Sequence, residues 1–325
     1  MNIASRNRYP LPVIIISGPT AVGKSHTVYK ILGTKCEIIN ADSRQIYKYL
    51  NIGTAKPSQS ELKRIPHHLI NEINPKDQFN AGMFVRSANR IVCDIYSRGR
   101  IPFVIGGTAF YIKSFLYGLP EAPPSDHRIR VQLKKTAEKK GLAYLFNKLS
   151  EVDPIYANKI KKNDKLRIIR ALEVYKISGK PVSSYYVPDK IRKDFIFHLI
   201  GLNLDRETLY RRINERVETM FAIGLIDEIK LLIKKGFLQN DPGMKGIGYR
   251  EFFQMQYTCF LLKDIKDLIK QNTRNLAKRQ LTFLKSLKTV RWFKPDDVDG
   301  IKIDIINFLK KKLPKEYSFD GLFRV

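Results

Sequence analysis

Residues 13–25 read VIIISGPTAVGKS, a β-favouring apolar run that ends in the spacing G-x-x-x-x-G-K-S. A strand that runs into a glycine-bracketed turn and then a helix is the context of a phosphate-binding loop. Gly18 and Gly23 let the backbone bend so that successive N–H groups converge on phosphate oxygens, and the helix that follows adds its positive end. Lys24 contributes a point charge, and the Ser25 hydroxyl is suited to ligate Mg²⁺. The cradle, residues 18–25, comprises Gly18, Pro19, Thr20, Ala21, Val22, Gly23, Lys24 and Ser25. Whose phosphates it holds depends on the rest of the chain.

Short apolar runs alternate with helical periodicity through the first third, as in a parallel sheet with crossover helices. Strands are expected at 13–17, 37–41, 68–73 and 101–105. Between the last two, Phe84, Ala88, Ile91, Val92 and Ile95 recur at helical spacing, and the pattern stops at Gly99. Pro120, Pro123 and Pro124 then break any regular element, and Ser125 or Asp126 is placed to cap a new helix. Up to about residue 188 the pattern is helical and basic; FIFHLIGLNL, residues 195–204, reads as a buried strand again and long helices follow. The expected fold is α/β: a P-loop NTPase-like parallel sheet core begun by 1–120, an inserted helical domain over 121–190, and 191–325 completing the core with a helical C-terminal part.

In open α/β sheets ligands sit at the carboxyl ends of strands, so Asp42, just past the second strand, should face the cradle. A carboxylate there could hold Mg²⁺ or accept a proton; a helix cap, by Asp42 or Ser43, is the plainer alternative. The fourth strand ends in Gly106, Gly107 and Thr108, where nucleotide hydrolases commonly place a Mg²⁺-holding aspartate. That ending suits a passage for a substrate, with the Thr108 hydroxyl at its mouth.

With 59 Lys plus Arg against 31 Asp plus Glu, the 325-residue chain carries a formal charge of +28, which draws polyanions and makes nucleic acid the first partner to consider. Charge alone fits a solvated lysine-rich surface equally well. Cys36, Cys93 and Cys259 are far apart, without the spacing of a zinc knuckle or a disulfide framework. His67 and His68 lack further ligands at metal-binding spacing, so a structural or nucleic-acid contact is the better reading. No leader and no bilayer-length apolar stretch is recognisable, so a cytoplasmic protein without a membrane anchor is expected.

Taken together, GPTAVGKS, ADSRQIY (41–47), NIGTAKPS (51–58), PHHLI (66–70) and GGTAFY (106–111) resemble the tRNA dimethylallyltransferase family, also called tRNA isopentenyltransferase. The resemblance continues through DKLRIIRALEVY (164–175), RRINERVETM (211–220), GIGYRE (246–251) and TRNLAKRQLTFLKSL (273–287), and rests on the order and spacing of these segments. It implies transfer of a dimethylallyl group from dimethylallyl diphosphate to the exocyclic amine of the adenosine 3′ to the anticodon, with Mg²⁺ as cofactor. The cradle would then hold a diphosphate that departs. Asp42 would be the general base, Arg216 a cation on the leaving group with Arg212 one turn earlier, and Thr108 a hydrogen-bonding group near the reacting atoms. The tRNA anticodon stem-loop would be met by Asp42, Ser43, Arg44 and Gln45 at the entrance and by Leu166, Arg167, Ile168, Ile169 and Arg170 of the inserted domain. Lys245, Gly248, Tyr249 and Arg250, and Lys278, Arg279, Gln280 and Lys285 on the last long basic helix, would meet it further on. On that helix Arg274, Lys278 and Lys285 share a face opposite Leu276, Phe283 and Leu287.

Departures are small: Phe283 stands where many members have Trp, Lys285 where many have Arg, and FNAGMF differs after the third strand. Within these residues no zinc-finger extension follows, which the resemblance reads as the bacterial type, expected to act as a monomer. Two rivals frame the test. A P-loop kinase would explain the cradle and Asp42 but leave the basic helix unused, and an RNA-binding module that switches with nucleotide would explain the charge without catalysis.

Overall fold

The structure, a computed structural model, describes residues 10–254, 262–315 and 317–324. Cys259 lies outside them. The chain divides into a larger unit, 1–116 with 192–325, and a smaller one, 117–191.

The larger unit opens with β1 (Leu11–Ser17), α1 (Lys24–Ile31), β2 (Cys36–Asn40), α2 (Gln59–Arg64), β3 (His67–His68), α3 (Ala81–Ser97), β4 (Ile101–Gly106) and α4 (Ala109–Tyr117). Its six-stranded sheet has the order β3-β2-β4-β1-β5-β6, and every neighbouring pair is parallel. Strands covered on both faces read as continuous apolar runs. In β1, β2 and β4 this holds almost throughout, with Glu37 the charged exception. The stripe read from α3 is buried as expected: Phe84, Ala88, Ile91, Val92 and Ile95 face the sheet, and Asn80 caps the helix by accepting the Met83 N–H.

Two strand expectations need correction. The third strand stops at His68 because Leu69 (φ 61°) and Asn71 (φ 57°) adopt the left-handed region, which ends extended pairing. A sixth strand, which the sequence reading omitted, pairs beside β5. Of the histidine pair, His68 is held structurally: its Nε2 lies 2.6 Å from Glu37, a nearly fully buried carboxylate that Arg98 and Arg100 also hold.

In the smaller unit, α5 (His127–Lys140), α6 (Leu142–Val152), α7 (Pro154–Ala157) and α8 (Lys165–Ser178) pack around Leu133, Leu145, Leu149, Ile168, Ile169 and Leu172. Asp126 caps α5, accepting the Ile129 N–H, and Asp164 caps α8. Arg130 and Arg170 neutralise the fully buried Glu173.

The larger unit resumes with β5 (Phe195–Leu202), α9 (Arg206–Ala222), α10 (Leu225–Lys234), α11 (Arg250–Gln254), α12 (Leu262–Lys285), β6 (Arg291–Phe293) and α13 (Val298–Lys312). No helix among the described residues is long and apolar enough to cross a membrane.

Candidate active site

The site forms where β1, β2 and β4 end side by side. Ser17, the last residue of β1, sits opposite Gly106 of β4 and donates its hydroxyl to the Gly106 carbonyl. Beyond it the backbone turns through Ala21 (φ 64°) and Gly23 (φ 109°) into α1, so the cradle predicted from residues 18–25 is a loop leading to a helix N-terminus. The Lys24 ammonium folds over this loop, donating to the carbonyls of Gly18 (2.9 Å) and Pro19 (2.8 Å). Burial lowers its pKa to about 8, Asp42 pulling it back up and Arg216 pushing it further down. One carboxylate and two cations therefore act on one another across the cradle.

Asp42 follows β2 directly. Its Oδ1 accepts the N–H groups of Arg44 (2.8 Å) and Gln45 (3.4 Å), so the side chain closes a turn and begins no helix. These bonds fix the carboxylate plane. Its other oxygen makes no hydrogen bond among the described residues. Asp42 lines one cleft with Lys24, Ser25 and Asn40. Ser25 is exposed on the first turn of α1, its hydroxyl also without a hydrogen bond among the described residues. Mg²⁺ takes oxygen ligands, keeps several waters and is commonly bound through one or two protein groups plus phosphate. The Ser25 hydroxyl fits that requirement as one protein ligand beside a phosphate, and the second Asp42 oxygen remains open to accept a proton. No group of three or more His, Cys, Asp or Glu side chains among the described residues could hold a metal alone.

His67 and Tyr29 line the same cleft. His67 Nδ1 lies 2.6 Å from the Ile65 carbonyl, which only accepts, so Nδ1 carries the proton and Nε2 receives the Tyr29 hydroxyl at 2.9 Å. Burial lowers the His67 pKa, in keeping with this neutral tautomer.

The glycines at the end of β4 have a different use from the one expected. A Cβ on Gly106 would lie 2.3 Å from the Ala41 backbone, and one on Gly107 would lie 2.5 Å from the Gln280 carboxamide. Close backbone and side-chain approach thus requires glycine at both positions, while Gly106 also lines the cleft that holds Lys24, Ser25 and Asp42. Thr108 Oγ1 accepts the Ser43 N–H at 2.9 Å, a bond that does not use its own hydroxyl hydrogen.

Gln280, expected on the RNA face, is buried instead. Its Oε1 accepts the Thr20 N–H at 2.8 Å and its Nε2 donates to the Gly107 carbonyl at 2.7 Å, tying cradle, β4 and α12 together. The apolar stripe of α12 is correspondingly Ile269, Ala277 and Leu284, while Leu276 and Phe283 are half-exposed. Lys278, Arg279 and Lys285 remain exposed. Arg274 is held inward, donating to Asn214 and lying over the Tyr210 ring.

Other expected RNA contacts divide in the same way. Ile168 and Ile169 belong to the core of the smaller unit, and Arg170 is bound to Glu173 and the Pro123 carbonyl, whereas Leu166 and Arg167 are exposed. Tyr249 is fully buried, its hydroxyl donating to Glu228 at 2.7 Å, and Gly248 is buried beside it; Lys245 is exposed and Arg250 half-exposed. Arg44 donates to the Pro242 carbonyl, and Gln45 Nε2 to the carbonyls of Thr54 and Ala55.

Two α9 arginines reach the cradle. Arg212 donates to the Val22 carbonyl at 3.2 Å. Arg216 spans Thr20 Oγ1 and the Thr54 carbonyl, each at 3.4 Å, and burial lowers its pKa against the pull of Asp42. Ile213, Val217 and Met220 seat this helix.

Against this geometry the family model described as IPP transferase matches residues 45–287. The chain belongs to the IPP transferase family. The tRNA dimethylallyltransferase of Geobacter sulfurreducens is 38% identical over 300 residues, covering 91% of this chain and 96% of that protein. The tRNA dimethylallyltransferase of Borreliella burgdorferi (strain ZS7) is 42% identical over 291 residues, covering 89% of this chain and 95% of that protein. The crystal structure of the full-length tRNA isopentenylpyrophosphate transferase from Bacillus halodurans aligns with a TM-score of 0.65 at 34% identity, covering 94% of this chain and 97% of that one. A eukaryotic dimethylallyltransferase acting on tRNA aligns with a TM-score of 0.76 at 27% identity, covering 94% of this chain and 81% of that one.

Two residues that carry much of the site had no role in the sequence reading. Glu228 of α10 accepts the N–H groups of Asn51 (2.9 Å), Ile52 (2.8 Å) and Gly53 (3.2 Å) as well as the Tyr249 hydroxyl, and so pins the loop that carries Thr54. Gly53 must be glycine there, since a Cβ would lie 2.5 Å from the Tyr249 ring. Lys56 donates to the Tyr47 carbonyl and Asn71 Oδ1, and burial lowers its pKa to about 8. Lys56 stands within the quoted NIGTAKPS segment, but a lysine before proline reads as a loop charge. Glu228 reads as the polar face of an amphipathic helix.

Proposed function

We propose that this chain transfers the dimethylallyl group of dimethylallyl diphosphate to the exocyclic amine of the adenosine 3′ to the anticodon in tRNA, giving isopentenyladenosine and diphosphate. The observation that carries the reading is a single phosphate cradle over which the Lys24 ammonium folds, which Arg216 reaches through Thr20, and whose cleft Asp42 lines with Lys24 and Ser25.

Adenine's amino lone pair is delocalised into the ring, so the amine is a weak nucleophile and needs both a positioned proton acceptor and a stabilised leaving group. As the nitrogen bonds to the allylic carbon, the carbon–oxygen bond to diphosphate breaks and the amine proton passes to Asp42. The Arg44 and Gln45 N–H groups hold the acceptor in place. Thr108 donates its hydroxyl hydrogen beside it. Charge growing on the diphosphate meets the cradle N–H groups, Lys24 and Arg216, with Arg212 supporting the loop from behind. Ser25 would hold Mg²⁺, which would supply further neutralisation of the diphosphate, and the second Asp42 oxygen is left for the proton.

A target base stacked in an anticodon loop must be turned out before it reacts. RNA loops are read through unstacked bases and phosphates, for which exposed basic side chains are natural contacts. Lys278, Arg279 and Lys285 on α12, Lys245 and Arg250 before and in α11, and Leu166 and Arg167 on α8 are the accessible members of the expected RNA surface.

The test is to incubate the purified protein with Mg²⁺, dimethylallyl diphosphate and unmodified tRNA, digest the RNA, and detect prenylated adenosine by mass spectrometry. A parallel reaction holds ATP in place of the donor. Product in the first alone is expected; ATP turnover without prenylated product would return the cradle to a nucleotide and favour a kinase.

A further inference from the structure

Beside the cradle a cavity of about 650 Å³ opens, with Ile52, Met220 and Ile223 on its apolar wall and Lys56, Asn71 and Arg216 as polar lining. Lys56 and Arg216 are both desolvated, and among the described residues neither has a carboxylate within ion-pairing distance. Their hydrogen bonds end on neutral oxygens: the Tyr47 carbonyl and Asn71 Oδ1 for Lys56, Thr20 Oγ1 and the Thr54 carbonyl for Arg216. The acidic groups that act on Lys56 at longer range are Glu228 and Asp42. Glu228 is committed to three N–H groups and the Tyr249 hydroxyl, and Asp42 Oδ1 to the turn it closes.

A cation removed from water and supplied only with neutral acceptors is undersolvated, and an incoming anion relieves it. Two such cations facing one cavity form a receptor for a multiply charged oxyanion, because charge-assisted hydrogen bonds are the strong ones. We propose that Lys56 and Arg216 form a second phosphate-binding site next to the cradle, with Lys56 as a substrate-binding residue. Resting on the reading of the chain as a diphosphate- and RNA-using transferase, the site takes its phosphate from one of two sources: the diphosphate of the donor, or the tRNA backbone next to the displaced adenosine.

The experiment is calorimetric titration of the whole protein at pH 8.5, in two buffers of different ionisation enthalpy. One arm uses inorganic diphosphate as probe, the other an anticodon stem-loop RNA. Near this pH the free lysine is partly deprotonated, and bound phosphate draws a proton onto it, so binding takes protons from the buffer. Lys24 and the diphosphate itself contribute to the wild-type uptake, and their share is common to every protein compared. In Lys56→Gln, affinity for one probe is expected to fall about tenfold and proton uptake with that probe to decrease. The arm that changes identifies the source. Lys56→Arg keeps the charge without titrating, so it should retain affinity while losing that part of the uptake, a pattern that mere support of the fold would not produce. Unchanged affinity and uptake for both probes in Lys56→Gln would overturn the proposal, and so would Lys56→Arg keeping the full wild-type uptake. Absence of prenylated product from the wild-type protein would instead refute the transferase reading.

Discussion

Replacing Glu228 by alanine tests whether the loop carrying Thr54 is held by a single carboxylate. Glu228→Ala strands the N–H groups of Asn51, Ile52 and Gly53 and the Tyr249 hydroxyl. Asn51 is exposed, so water replaces its bond at little cost. The other donors are wholly or partly sheltered, and each stranded donor costs about 1 kcal/mol, so the loss should be about 3 kcal/mol. For a unit of this size that lowers the melting temperature by about 6 °C or somewhat more. The functional effect should be disproportionate, because the Thr54 carbonyl receives Arg216 and Gln45. A displacement of about 1 Å at such a group can cost on the order of a hundredfold in rate. Single-turnover transfer at saturating donor and tRNA separates this loss from substrate binding, while scanning calorimetry reads the stability. Glu228→Gln, which keeps the shape and one acceptor oxygen, should fall between the two proteins in both measurements. Wild-type melting together with wild-type single-turnover rate in Glu228→Ala would refute the clamp.

Gln280→Leu should destabilise the fold by roughly 2–4 kcal/mol, because the Thr20 N–H and the Gly107 carbonyl both lose their partner, and should raise the KM for donor; calorimetry and steady-state kinetics check both. Since the pKa of Lys24 lies near 8, well below its unfolded value, the cationic form needed by the diphosphate is lost as pH rises through 8. Donor affinity should therefore weaken between about pH 7 and 9, which titration calorimetry across that range would show. His198 is buried against Asp304 and its pKa is lowered by that burial. The unfolded chain then binds a proton that the folded one refuses, so His198 contributes stability that is present above about pH 6.5 and lost as pH falls below it. In denaturant titrations His198→Gln should flatten this acid limb.

The alternation of β-rich and helical segments, the cradle and the position of Asp42 were all legible in the chain, because strand burial and glycine spacing are local properties. The stripe on α3 was equally plain, since a helix covered by a sheet must repeat its apolar residues at helical spacing. Elements set by distant contacts were not. β6 is three residues long, and its pairing with β5 gives no periodic signal of its own. The third strand was read too long because nothing in LINEI announces the left-handed turns at Leu69 and Asn71. In the site, segments expected to contact RNA mix exposed side chains with buried ones that hold the protein together. Exposed Lys278 and Arg279 flank Gln280, which faces inward to the cradle, and Tyr249 lies beneath Gly53. A motif records that residues act together without recording which way each one points.

The measurement that bears most directly on the central claim is transfer by Asp42→Asn. Asparagine keeps an oxygen to accept the Arg44 and Gln45 N–H groups, so the turn and the RNA entrance should persist, but it cannot take the proton of the attacking amine. Prenylated adenosine, quantified by mass spectrometry under single-turnover conditions, should form at least about a hundredfold more slowly, with tRNA binding within about twofold of wild type. Transfer at the wild-type rate, with tRNA bound as before, would contradict the assignment of Asp42 as the base at a diphosphate-holding cradle.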